Sequence, residues 1–120
     1  MSPSTAPHTA SEAALHRAPN TTIEQILRLS PVMPVVVIEE AKVAPDLAQA
    51  FVRGGLRVVE VTLRTPAALA AIEAIARRVP EIAVGAGTVL CAEDLRAAAD
   101  AGATFAISPG ATPALLSAAA

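Results

Sequence analysis

Four short aliphatic runs, each followed by a helix-patterned segment, constrain this 120-residue chain more than any other feature. Val35 to Ile38, Arg57 to Thr65, Ile82 to Val84 and Thr104 to Ile107 read as strands that begin about 22 to 25 residues apart, a compact spacing beside the ~31 residues per unit of a typical eight-unit barrel. Strands joined through helices are parallel, and such crossovers are right-handed. Four units of this kind predict an α/β chain with two open architectures: the first half of a (β/α)8 TIM barrel, or part of a doubly wound open sheet.

The punctuation supports this division. Met1 to Asn20 is a Ser/Pro/Ala/Thr mixture without periodicity and is expected to be a disordered tail, leaving 21–120 as the folded unit. Its histidines, His8 and His16, have no ligand partners in the pattern, so no metal is expected. Thr21 and Glu24 have the spacing of a capping box leading into Ile23, Ile26, Leu27 and Leu29. Ala44-Pro45 opens a second helix closed by Gly54-Gly55. Thr65-Pro66 is expected to cap a third, carrying Leu69, Ile72, Ile75, Ala76 and Val79, with Arg77 and Arg78 facing solvent. Ala92 to Ala101 forms the next, ended by Gly102, and Thr112-Pro113 starts the last.

Within this frame the run R-V-V-E-V-T-L-R-T stands out, because it sets an acid inside a core strand. A period of two puts Val58, Glu60, Thr62 and Arg64 on one face and Val59, Val61 and Leu63 on the other. An ionised carboxylate is not left in an apolar interior without a partner or a task. A structural Glu60–Arg64 pair is the alternative, but Cα atoms four apart on a strand are ~13 Å apart, so that pair needs a bend at the strand end.

Composition excludes several classes. Hydrophobic residues make up 53% and aromatics only 2%, so the core is built from Ala, Val, Leu and Ile, which suits parallel strands under Ala-rich helices. A net charge of -2 without stacking aromatics gives no case for nucleic acid. No apolar run approaches the ~20 residues of a membrane span, and no signal peptide is read, so the cytoplasm is the expected location. Cys91 is the single cysteine and is expected to be a core or loop residue.

Polar residues gather where parallel strands end. Arg64 closes the second strand, Thr88 follows the third in Gly85-Ala86-Gly87-Thr88, and Ser108-Pro109-Gly110 follows the fourth. Arg64 suits bidentate carboxylate or phosphate binding, and the Gly85 and Gly87 N–H groups are expected to be exposed in a turn where an anion can approach. The turn also has a purely structural reading. G-A-G-T lacks the third glycine of a dinucleotide fingerprint, and no phosphate-binding P-loop occurs, so neither cofactor is expected.

The segments M-P-V-V-V-I, G-G-L-R-V-V-E-V-T-L-R-T, V-P-E-I-A-V-G-A-G-T-V-L and A-G-A-T-F-A-I-S-P-G resemble, in order and spacing, the N-terminal half of the 2-keto-3-deoxy-6-phosphogluconate (KDPG) and 4-hydroxy-2-oxoglutarate (KHG) aldolases. The resemblance implies a (β/α)8 barrel, usually a homotrimer, and a metal-free, cofactor-free lyase of the Entner-Doudoroff route. Its reaction would be Schiff-base cleavage of a phosphorylated keto-acid to pyruvate and glyceraldehyde 3-phosphate. By position it implies Glu60 as general acid/base, Arg64 on the pyruvyl carboxylate, Thr88 assisting it and Pro109 lining the substrate. Arg64 points to the gluconate rather than the galactonate branch.

The same resemblance puts the imine-forming lysine on the sixth strand and the phosphate loops after the seventh and eighth. Lys42 is the only lysine here and does not fall on the imine position, so it is expected to be a solvated side chain. The chain is therefore expected to be truncated in its fourth βα unit and inactive alone. Two alternatives stay open: a non-catalytic, self-associating half-barrel, and another phosphate-handling TIM-barrel enzyme.

Overall fold

The computed structural model describes residues 21–120. The tail reading for 1–20, with His8 and His16, lies outside the described residues. The elements in order are α1 (Ile23–Leu27), β1 (Val35–Val36), a 3-10 turn (Ala41–Val43), α2 (Ala44–Arg53), β2 (Val58–Thr62), α3 (Ala68–Arg78), β3 (Ala83–Gly87), α4 (Ala92–Ala101) and α5 (Pro113–Ala119).

β1, β2 and β3 lie side by side in chain order and are parallel, with Val35 opposite Glu60 and Val58 to Thr62 opposite Ala83 to Gly87. The expected fourth strand is laid down beside β3 as a single parallel bridge, Ala86 to Ala106. Thr104 donates to the Val84 carbonyl at 2.9 Å, Ala86 to Phe105 at 3.1 Å, and Ile107 to Ala86 at 2.8 Å. The order thus runs one way without reversal.

All the crossover helices cover one face. Ala44 and Ala48 of α2, Ala71, Ile72 and Ile75 of α3, Ala98 of α4 and Leu115 of α5 join Val59, Val61, Val84 and Ala86 in one core. Full burial of Ile72 and Ile75 contributes about 1.5–3 kcal/mol each. A doubly wound sheet needs helices on both faces and a reversal of strand order. Neither occurs among the described residues, so of the two architectures the barrel-type one is formed. The other face carries a second cluster, in which Ile26 of α1 packs with Val58, Ala83 and Phe105 at the amino end of the strands. Ser30, just after α1, accepts a 2.6 Å hydrogen bond from the Arg57 N–H and so ties α1 to the start of β2.

Several local expectations need correction. The first cap is Thr22 with Gln25, not Thr21 with Glu24: the Thr22 hydroxyl accepts from Gln25 N–H at 3.2 Å, and the Gln25 side chain accepts from Thr22 N–H at 2.8 Å. β1 is shorter than the apolar run, with Val35 and Val37 exposed and Ile38 buried. Thr65 does not cap α3, which starts three residues later behind Ala67. Its hydroxyl donates instead to the Ile38 carbonyl at 2.6 Å. Leu69 is partly exposed, because Ala68 and Ala71 hold the inward positions. Of the two places expected for Cys91, core or loop, it takes the second, exposed at the N-cap position before α4. Arg77 and Arg78 face solvent, Gly102 ends α4 at φ 106°, and Thr112 caps α5 on Leu115 N–H at 3.1 Å, all as the sequence indicates. No helix among the described residues is long and apolar enough to cross a membrane.

Candidate active site

β2 is buried at every position: Val59 and Val61 pack into the core under the helices, and Val58 packs with Ile26, Ala83 and Phe105 on the other face. Glu60 is its central residue and is 7% exposed. Burial pushes its carboxyl above the ordinary value of 4.5, since a charge is poorly solvated there. Neither ion pair found among the described residues includes it. The Glu60–Arg64 pair does not form: the strand stops at Thr62, and Arg64 lies exposed in the turn beyond it. The expected strand Arg57–Thr65 is therefore too long at both ends, and Arg64 is a rim residue rather than a member of the strand face.

The glycines of G-A-G-T also sit elsewhere than expected. Gly85 and Gly87 are buried rungs of β3, not an exposed turn with free N–H groups. Each instead makes room for a side chain. The Phe105 ring fills the space where Gly85 would carry a Cβ, and the Glu60 carboxylate fills that space at Gly87. The residue types follow from this crowding, since a methyl group at either position would overlap its occupant. Alternating glycines inside an aliphatic run were the sequence signal for close approach, and reading them as a turn missed Gly87 and Phe105 as parts of the site.

Thr62 shares the Glu60 face, but its hydroxyl donates to the Val36 carbonyl at 3.2 Å and so holds β1 to β2. Thr88, immediately after β3, adopts φ 58°, a left-handed conformation that a β-branched residue avoids. Such strain persists only where the surroundings impose it, and it clusters at functional positions. Leu63 N–H donates to the Gly87 carbonyl at 2.9 Å, which joins the Arg64 turn to the Thr88 bend. Pro109 is exposed in the loop after the fourth strand segment, where Ser108 and Gly110 hydrogen-bond to each other. Parallel topology thus puts Arg64, Thr88 and Pro109 at the carboxyl ends of three successive strands, with Glu60 below them inside the sheet.

Lys42 lies on the 3-10 turn after β1, with its side chain 82% exposed and paired with Glu40 at 3.5 Å. A groove of about 710 Å³ runs between α3 and α4 past Glu73, Arg77 and Asp100, on the helix side of the sheet and away from Glu60. It has no part in the site.

Residues 23–120 match the family described as KDPG and KHG aldolase. The KHG/KDPG aldolase of Escherichia coli K12 is 54% identical over 99 residues, 82% of this chain and 46% of that protein. The fold matches a solved 2-keto-3-deoxy-6-phosphogluconate aldolase of Zymomonas mobilis with 3-phosphoglycerate at a TM-score of 0.77 and 52% identity, over 81% of this chain and 46% of that one. It also matches a KDPG aldolase from Legionella pneumophila, with pyruvate captured as a covalent carbinolamine intermediate, at a TM-score of 0.78 and 46% identity, over 82% of this chain and 48% of that one. The chain spans a little under half the length of these relatives. With its one-way parallel sheet, its helices on a single face and these matches, the chain belongs to the KDPG and KHG aldolase family.

Proposed function

We propose that the protein acts as a class I aldolase. It cleaves 2-dehydro-3-deoxy-6-phosphogluconate to pyruvate and glyceraldehyde 3-phosphate, and 4-hydroxy-2-oxoglutarate to pyruvate and glyoxylate. The reading also carries a homotrimer, a cytoplasmic setting and a place in the Entner-Doudoroff route. This chain supplies the acid/base and the carboxylate-binding rim.

The observation that carries the proposal is Glu60, a buried carboxyl with no cation beside it in either described ion pair, below a rim made of strand ends. A carboxyl raised by burial gives up and takes back a proton nearer neutrality than an exposed one, which is what a general acid/base needs. In cleavage, Glu60 takes the proton of the C4 hydroxyl while the C3–C4 electron pair moves toward C2, and the C4 oxygen becomes the aldehyde carbonyl. Arg64 holds the carboxylate at C1 through paired N–H donors, and the Thr88 hydroxyl adds a third contact. Pro109 shapes the wall beside the substrate. Fixing one end of the keto-acid keeps its reacting carbons facing Glu60.

The electron sink at C2 is an imine with a lysine amine. Lys42 is the single lysine of the chain, and its exposed, ion-paired position is far from that role. We assign the amine to the part of the relatives that this chain does not match.

Pyruvate release from KDPG by the intact enzyme, followed through lactate dehydrogenase, tests the reading. Glu60→Gln is expected to lower kcat by about 10²–10⁴-fold, and unchanged pyruvate release would overturn the assignment. Treating the 120-residue chain with pyruvate and borohydride is expected to give no mass increase, and an adduct on Lys42 would overturn the assignment of the amine.

A further inference from the structure

Glu60 is paired in register with Gly85, yet its carboxylate lies over Gly87, two residues nearer the carboxyl end of the sheet. Two residues along a strand is ~6.6 Å, so this displacement moves the acid a substantial way toward the rim. The place opposite Glu60 is taken by a side chain of the neighbouring strand segment. Phe105 projects its ring across β3 and fills the space above Gly85, the place directly opposite Glu60. Phe105 is itself held in the cluster with Ile26, Val58 and Ala83, so the ring is not free to swing away. Gly87 then offers the next vacant position, open because no Cβ stands there.

We propose that Phe105 and Gly87 are positioning residues that together aim Glu60 at the carboxyl rim, the ring by closing the seat over Gly85 and the glycine by leaving open the seat over Gly87. This rests on the reading of Glu60 as the acid/base. It goes further by assigning the direction of the carboxyl to two residues that do not touch substrate.

The consequence is a coupling that packing alone would not give. A methyl group at position 87 displaces the Glu60 carboxyl but touches no substrate, so it lowers turnover and leaves carboxylate binding at Arg64 intact. Aspartate at position 60, one methylene shorter, puts its carboxyl carbon where the Glu60 Cγ lies, 2.9 Å from the Cβ position at Gly87 and farther from it than the Glu60 carboxyl, and so is less sensitive to that methyl group.

The test is a double-mutant cycle on KDPG cleavage in the intact enzyme, with Glu60→Gln as reference and thermal melts as a control for folding. Gly87→Ala is expected to lower kcat by about 100-fold with KM changed less than about threefold, the cost of misplacing a catalytic group by about an ångström. In the Glu60→Asp background the same substitution is expected to cost at least about fivefold less. Phe105→Leu, which reopens the seat over Gly85 and keeps an apolar side chain, is the second variant should Gly87→Ala not fold. It is expected to lower kcat and to move the acid limb of the pH profile down, because water reaches the carboxyl. Parental kcat in a folded Gly87→Ala enzyme overturns the proposal, as does an equal cost in both backgrounds, or an unchanged kcat and pH profile in Phe105→Leu. If Glu60→Gln itself retains full turnover, the acid/base reading has failed. If Glu60→Gln is impaired and Gly87→Ala is not, only the positioning has failed.

Discussion

Thr65 donates its hydroxyl to the carbonyl oxygen of Ile38 at 2.6 Å, joining the far side of the Arg64 turn to the segment just past β1. The turn after β2 is thereby held from two sides, since Leu63 is bonded to Gly87 on the other flank. In the role proposed for Arg64 on a carboxylate such a base matters, because the side chain is exposed and long. Thr65→Ala is expected to cost about 1–2 kcal/mol, with Thr65→Ser close to the parent. In the intact enzyme Thr65→Ala should raise KM for the keto-acid more than it lowers kcat, and steady-state kinetics of the two variants checks this.

Glu60 makes stability depend on pH in a definite direction. Its folded-state pKa lies above 4.5 because burial disfavours the charge, so between those two values the folded chain holds a proton that the unfolded chain has released. Stability conferred on the neutral carboxyl is present below 4.5 and is lost as pH rises through the folded-state value. Glu60→Gln has no proton to lose. Melting curves from about pH 4 to 8 should therefore show Glu60→Gln gaining on the parent as pH rises, whereas a gap that stays constant would contradict the desolvation argument.

Thr88 gives a prediction in which stability and binding separate. Its φ of 58° costs about 1–2 kcal/mol for an L side chain, and glycine adopts it freely but adds about 0.5–1 kcal/mol of chain entropy to the unfolded state. Thr88→Gly should raise stability by up to about 1 kcal/mol and weaken keto-acid binding through loss of the hydroxyl. Thr88→Val should weaken binding without the stability gain. Denaturant melts and KM values for the two variants check both halves.

Lys42 provides the control. Its ion pair with Glu40 is solvated, and such pairs contribute little. Lys42→Ala is expected to change stability by less than about 0.5 kcal/mol and to leave turnover of the intact enzyme at the parental level. A large loss of activity would mean that this amine takes part in the chemistry.

The parts of this fold that were legible in the sequence are those set by period and punctuation. The parallel units could be read from aliphatic runs separated by helical segments, and Glu60 could be picked out because a charge in such a run has few explanations. What depends on a neighbour was not legible. The ladder beyond Thr62 is limited by where β3 ends at Gly87, so Arg64 looked like part of a strand when it belongs to a turn. Gly85 and Gly87 read as a turn because glycine is the usual turn residue, yet they are ladder residues emptied to admit Phe105 and Glu60. Whether helices cover one face or both is likewise a property of the assembled sheet. Periodicity alone left barrel and open sheet open, the family resemblance implied the barrel, and the shared core of α2, α3 and α4 agrees with it.

The packing of Ile26 against Val58, Ala83 and Phe105 has a consequence for traffic. It closes the amino end of the face that carries Glu60 with apolar side chains, so the polar approach to Glu60 lies at the other end of the strands, where Arg64, Thr88 and Pro109 stand.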